Sequence, residues 1–300
     1  MWREELAGLA GAIRAHPRFF EAVRRFMAEF VEWRARLGVL NKVGSNLGRE
    51  RLLEYVLYLH FARAGDNSEG GATFERLAAL SDSRDQIGAR AVRTALRLAQ
   101  IAGLVSVAKS ATDGRMRIIT PADSLMELAR QHLTITFRIL DALAPEARFT
   151  ARFYDVPDFL PALLTRIGRA YIDGDYQRNL PASAFTSLLR LEGSRVILSY
   201  VVDCHWDRRD LPPPQEFFRR FYISPSQTRA VLKSADAHGL VHVGPRGRLS
   251  GADALAEAYV DALSRFLAFA LRFGFGFDGA ILPPAFASVR SAHVQKTQGE

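Results

Sequence analysis

Cysteine is almost absent from these 300 residues. Cys204 is the only one, which excludes an internal disulfide framework and a thiolate-based zinc site and points to a reducing compartment, the cytoplasm. Lysine is nearly as scarce: Lys42, Lys109, Lys233 and Lys296 are the only four, so the 40 basic residues, set against 32 acidic ones, are nearly all arginine. Long hydrophobic runs are missing too. No stretch approaches twenty uncharged apolar residues, Phe266-Leu-Ala-Phe-Ala-Leu271 being a core segment, and no contact with a membrane is expected. Arg3, Glu4, Glu5, Arg14 and Arg18 interrupt any signal-peptide layout. There is no phosphate-binding Gly-rich loop, no His-Glu-x-x-His pair and no Gly-x-Ser-x-Gly elbow. Cys204-His205-Trp206-Asp207 is the one cluster that suggests a nucleophile, but neighbours on a helix point in different directions, and a buried cysteine is the simpler reading. No enzymatic activity, catalytic residue, cofactor or metal is expected.

What is present describes a chain able to bury two cores: 48% of the residues are hydrophobic and 24% charged. The formal charge of +8 and the pI near 10.0 favour a polyanionic partner. An arginine-rich, Ala- and Gly-rich composition also follows from a GC-rich genome, so the positions of the charges weigh more than their sum.

The clearest stretch is 223–243. Ser224 is a good N-cap and Pro225 a good first helical residue; Gly239 ends the helix, and Leu240-Val-His-Val243 alternates as a half-buried strand does. Thr228, Val231, Leu232 and Ala235 share one face, and Ser226, Gln227, Arg229 and Lys233 lie on the other. The stretch recurs 136 positions earlier, where Ile87, Arg93, Leu96, Ala99, Gly103, Leu104, Val105 and Val107 match Ile223, Arg229, Leu232, Ala235, Gly239, Leu240, Val241 and Val243. Downstream, Ala122-Asp-Ser-Leu-Met-Glu127 matches Ala252-Asp-Ala-Leu-Ala-Glu257 at an offset of 130, so the intervening connection is longer in the first copy, as hairpin tips of unequal length would be.

Helix, Gly-Leu-Val strand, basic hairpin and further helix resemble the winged helix-turn-helix, and in particular the MarR-like bacterial transcription regulators, over residues 50–143 and again over 190–273. The resemblance implies a mainly α fold with small β wings: two tandem winged helix-turn-helix domains with additional packing helices. It also implies a double-stranded DNA partner and leaves a place for a small-molecule effector and for a homodimer. Members of that family carry one such domain per chain, whereas this chain carries two. The expected division is a helical segment at 1–48, winged domain one at 49–144, a helical connector at 145–193, winged domain two at 194–279 and a flexible tail at 280–300.

Within this frame, Thr73 caps the helix 74–80, Ser81 to Gln86 forms the turn, and a recognition helix runs from Ile87 to Ala102 with Arg90, Arg93, Thr94 and Arg97 outward. Asp113-Gly114 is the tip of the first wing, flanked by Lys109, Arg115 and Arg117. Ser194 is expected to cap the helix 195–205. The second recognition helix offers Ser226, Gln227, Arg229 and Lys233, and the second wing Arg246 and Arg248. Arginine and glutamine can bond base edges in two places, while Ser, Lys and wing arginines suit phosphates. The aromatic stripe of residues 17–37 (Phe19, Phe20, Val23, Phe26, Met27, Phe30, Val31, Trp33) is expected to pack on its own domain, with Arg24, Arg25, Glu29, Arg34 and Arg36 outside it. The favoured function is a DNA-binding regulator of transcription; a plasmid-type replication initiator and a tandem winged-helix protein-interaction module are the alternatives.

Overall fold

The computed structural model describes residues 2–66, 71–110, 113–172, 183–244, 248–250 and 252–276. The chain is mainly helical, with two small antiparallel sheets. α1 (Trp2–Ala15) and α2 (Phe19–Leu37) come first. There follow α3 (Leu47–Asp66), α4 (Phe74–Asp85), α5 (Ala89–Ile101), the hairpin of β1 (Val105–Lys109) and β2 (Arg117–Pro121), and α6 (Asp123–Leu143). The short α7 (Arg152–Asp155), then α8 (Phe159–Ile172) and α9 (Ala184–Leu188), separate these from α10 (Ser194–Trp206), α11 (Pro214–Phe221), α12 (Pro225–Ala237), the hairpin of β3 (His242–Val243) and β4 (Leu249–Ser250), and α13 (Asp253–Phe269), which runs on into a π-helical turn, Ala270–Gly274. The order of three helices, a hairpin and a helix therefore occurs twice, in α3–α6 and in α10–α13.

The two copies agree in backbone detail. Gln86 and Tyr222, one residue before Ile87 and Ile223, both adopt positive φ, 57° and 59°; Gly103 and Gly239 lie at 69° and 66°. Ile87 N–H donates to Ser81 O and Ile223 N–H to Phe217 O, again 136 positions apart. A Cβ on Gly48 would meet Ile87, and one on Gly193 would meet Ile223. Gly48 and Gly193 thus mark equivalent places, and at that offset Tyr55 falls on Tyr200, Val56 on Val201 and His60 on His205.

Local chemistry sets some helix starts. Thr73 accepts from Arg76 N–H, and Ser224 and Gln227 form a reciprocal capping box ahead of Pro225. Two starts differ from expectation. Residues 81–85 are helical, because Ser81 and Asp85 are buried and Asp85 accepts a 2.6 Å bond from Tyr55 OH; the turn shrinks to 86–88 and α5 begins at Ala89 behind Gly88. Ser194 lies inside α10 instead of capping it, since Gly193 at φ 76° takes the N-cap position.

The halves interlock. α2 packs on α6 but also on α10 and α11, and α8 packs on α3 and on the π turn that follows α13. The aromatic stripe of α2 is therefore shared between halves and not confined to one: Phe19, Val23, Met27 and Phe30 are all buried, each burial stabilising by about 1.5–3 kcal/mol. Pro17-Arg-Phe-Phe20 and Pro157-Asp-Phe-Leu160 open α2 and α8 alike, so each apolar helix lies on the first helix of the other copy. Reciprocal contacts of this kind are those that an approximate two-fold relation between the copies would produce. At its centre the strands of chain leading into α3 and α10 cross, Leu47 N–H donating to Leu189 O at 2.9 Å and Gly193 N–H to Ser45 O at 2.6 Å.

Gly168 is where α8 meets α3 most closely: a Cβ there would lie 2.2 Å from Tyr58 Cδ2 and 2.7 Å from Tyr58 Cβ. The near part of a buried ring cannot swing aside, so Gly168→Ala should destabilise by about 1–3 kcal/mol in urea unfolding, and Tyr58→Ala in the same chain should remove the added cost.

Candidate nucleic-acid interface

On α5, Val92, Ala95, Leu96 and Ala99 are buried, which turns Arg90, Arg93, Thr94 and Arg97 into solvent. The Arg93 guanidinium rests over the Phe74 ring of α4, 4.8 Å from its centroid, so its reach is partly fixed in advance. The Thr94 hydroxyl donates back to Arg90 O at 3.1 Å and keeps its acceptor positions. In the adjoining hairpin Lys109 stands directly opposite Arg117, both exposed; like charges placed so are unfavourable until an anion joins them. Asp113 accepts from Arg115 N–H at 2.9 Å and shapes the tip, with Arg115 exposed beside it.

On α12, Thr228, Val231 and Ala235 are buried and Leu232 half-buried, leaving Ser226, Arg229 and Lys233 exposed. Gln227 is only half open, and its side-chain oxygen accepts from Ser224 N–H at 3.0 Å, so it serves the helix cap first. Ser226 Oγ lies 3.0 Å from Ser224 Oγ. Arg248 is exposed beside the short β3–β4 hairpin; Arg246 lies outside the described residues, as do the tail 280–300 and residues 173–182 of the connector.

Two electrostatic features mark these elements, although Arg18, Arg25, Arg36 and Arg208 elsewhere are exposed and make no ion pair among the described residues either. Arginines elsewhere commonly meet carboxylates, as in Arg24–Asp207, Arg49–Glu192, Arg138–Glu29 and Arg220–Glu32. Among the described residues, Arg90, Arg93, Arg97, Lys109, Arg115, Arg117, Arg229, Lys233 and Arg248 make no ion pair with a carboxylate. Furthermore, α5 and α12 carry no acidic residue in the first turn, a trait they share with α8, α9 and α10, whereas α1, α2, α3, α4, α6, α11 and α13 carry one, the usual complement to the helix dipole.

Behind this surface lies a buried polar centre that joins the halves. Glu50, of α3, accepts from Arg34 of α2 at 3.1 Å and from Arg195 of α10. Arg34 also donates to Gly44 O at 2.9 Å, and Arg195 to His132 Nε2 of α6 at 3.2 Å. Trp33 stacks on the His132 ring, centroids 5.4 Å apart and nearly parallel, and bonds Gln131 through its indole N–H. Burial alone would raise the Glu50 pKa, but Arg195 and Arg34 outweigh it and hold the carboxyl below its ordinary value. Burial, then Arg195, pushes His132 down to about 3. Arg34, expected outside the aromatic stripe, is buried, because Glu50, Gly44 O and the Trp33 face satisfy it there. Periodicity places Trp33 in the aromatic stripe and Arg34 outside it, and singles out none of Glu50, His132 and Arg195. The signal available was Glu50 and Arg195 occupying equivalent places in the two copies. The centre borders a cavity of about 870 Å3 between α3, α6, α8 and α13.

Cys204 is buried, and burial pushes its thiol up to about 11; His205 turns to Asp253 at 3.1 Å. His242 pairs with Asp236. Among the described residues no cluster of three His, Cys, Asp or Glu could hold a metal, and no helix is long and apolar enough to cross a membrane. The chain matches no protein-family model, no curated protein and no solved structure.

Proposed function

We propose that the chain is a DNA-binding regulator of transcription in which α3–α6 and α10–α13 are two winged helix-turn-helix units, akin to the MarR-like regulators, with α5 and α12 as recognition helices. The observation that carries this reading is the set of exposed basic side chains on α5, α12 and both hairpins that have no carboxylate partner while arginines elsewhere commonly do. A duplex supplies the missing anions at regular spacing.

The two-fold relation supports joint use of both helices. A two-fold rotation keeps each point at its height along the axis, so under that relation α5 and α12, whose starts sit beside Gly48 and Gly193, would lie at one level. Recognition helices in such a relation reach successive major grooves about 34 Å apart. The cavity beside the buried centre gives a small-molecule effector room, and the cytoplasm is the compartment in which such a protein works.

The test is binding to random-sequence duplex DNA across salt. Neutralising six to eight phosphates should give a slope of log K against log salt of roughly −5 to −7. Arg93→Ala and Arg229→Ala should each weaken binding; a slope near zero, or no binding at low salt, would overturn the reading.

A further inference from the structure

We infer that one chain reads an asymmetric, bipartite duplex site: two half-sites in inverted orientation, alike at the position that faces Arg93 and Arg229 and unlike beside it. The inference rests on the DNA-binding reading above and adds the nature of the site.

Three observations lead to it. First, the two recognition faces are related but different. Superposing α5 on α12 at their offset of 136, the inward positions agree in kind (Val92 with Thr228, Ala95 with Val231, Leu96 with Leu232, Ala99 with Ala235), and outward Arg93 falls on Arg229 and Arg97 on Lys233. The other outward positions diverge: Arg90 falls on Ser226, Ala91 on Gln227 and Thr94 on Ala230. Arginine at a base edge prefers guanine, bonding O6 and N7 together, so the shared arginines specify a shared guanine. Ser and Ala in place of Arg and Thr cannot make the same neighbouring contacts, so the flanking bases differ.

Second, the pairing of unlike halves is built into the fold. Glu50 and Arg195 stand at equivalent places in the two copies, counted from Gly48 and Gly193, and they meet across the two-fold axis. Two first halves brought together in the same way would set Glu50 against Glu50, and two second halves Arg195 against Arg195. Buried like charges oppose both arrangements, while the mixed one is satisfied within a single chain. A homodimer presents two identical faces and selects a palindrome; this chain presents two different ones.

Third, the halves are unequally prepared. Arg93 is braced by Phe74, and its unit carries a hairpin of two five-residue strands with Lys109, Arg115 and Arg117. The second unit has two-residue strands, and Arg229 rests on no ring among the described residues. The first half-site should therefore contribute more of the affinity.

Selection of bound sequences from a pool of random duplexes, with the intact chain, tests this. The expected motif has two inverted half-sites with centres about 10 bp apart, sharing a guanine and differing next to it, bound by one chain per duplex. Arg93→Ala should weaken binding to the selected site roughly 5- to 150-fold and erase preference in one half only; Arg229→Ala should do the same in the other half with a smaller loss. The double variant Ser226→Arg, Ala230→Thr changes two exposed positions and should move the second half-site toward the first, giving a more palindromic motif. A palindrome selected by the unaltered chain, a direct repeat, a single half-site or binding with no sequence preference would overturn the inference while leaving DNA binding in place. Absence of binding even at about 50 mM salt would remove the reading on which it rests.

Discussion

Glu50→Ala should cost about 3–5 kcal/mol of unfolding free energy, the largest loss expected from any single carboxylate here. The reason is what the substitution leaves behind. Arg34 has 5% of its side chain exposed and Arg195 has 23%; without Glu50 both guanidiniums stay in the joint between the halves, and Arg34 keeps only Gly44 O as a hydrogen-bond acceptor. Deleting a partner from a buried pair is costly because the survivor's charge is uncompensated, whatever the pair was worth when intact. Glu216 provides the contrast. Its pairing with Arg219 is a helical i,i+3 contact with side chains 45% and 73% exposed, and Glu216→Ala should stay within about 0.5 kcal/mol. Urea unfolding of the two variants side by side decides the matter, and a Glu50→Ala loss no larger than that of Glu216→Ala would show that water screens the joint. Because the folded-state pKa of Glu50 is lowered, its contribution is full above the unfolded carboxylate pKa and is lost as pH falls through the folded value.

The contrast between Glu50 and Ser224 also shows which features the sequence reveals. Ser224, Pro225 and Gln227 settle the start of α12 among neighbours three residues apart, and Gly103 and Gly239 mark helix ends by a backbone conformation that glycine adopts without strain; both are legible from local chemistry. The hairpins follow in the same way from Asp113-Gly114 and from strand alternation. Residues 81–85 do not, because their polarity suggests a turn and only the distant Tyr55 hydroxyl makes a buried Asp85 acceptable in a helix. Arg34 fails for the same reason: periodicity assigns a charged residue to the solvent, whereas Arg34 finds its partner Glu50 16 positions away. Gln227 shows a third limit. Residue type makes it a base reader or a cap with equal ease, and only geometry shows its oxygen engaged with Ser224.

His132 makes the joint sensitive to acid. Its Nε2 accepts from Arg195, so the ring is neutral with its proton on Nδ1, and burial, then Arg195 and Arg34, leave no favourable setting for a second proton despite Glu50 nearby. An unfolded histidine binds a proton near pH 6.5; this one, folded, does so only near 3. Between those values the unfolded chain holds a proton that the folded chain lacks, so stability rises with pH by up to about 1.4 kcal/mol per unit, is fully present above 6.5 and drains away on acidification. From about pH 7 to about pH 5 the loss due to this group should be about 2 kcal/mol. His132→Gln keeps an oxygen to accept from Arg195 but cannot titrate. Taking the difference between wild type and variant at each pH cancels the other histidines and Asp203, whose carboxyl is raised by burial and acts with the opposite sign. That difference should shrink in the variant's favour by about 2 kcal/mol over this range, and an unchanged difference would mean that the ring does not titrate on unfolding.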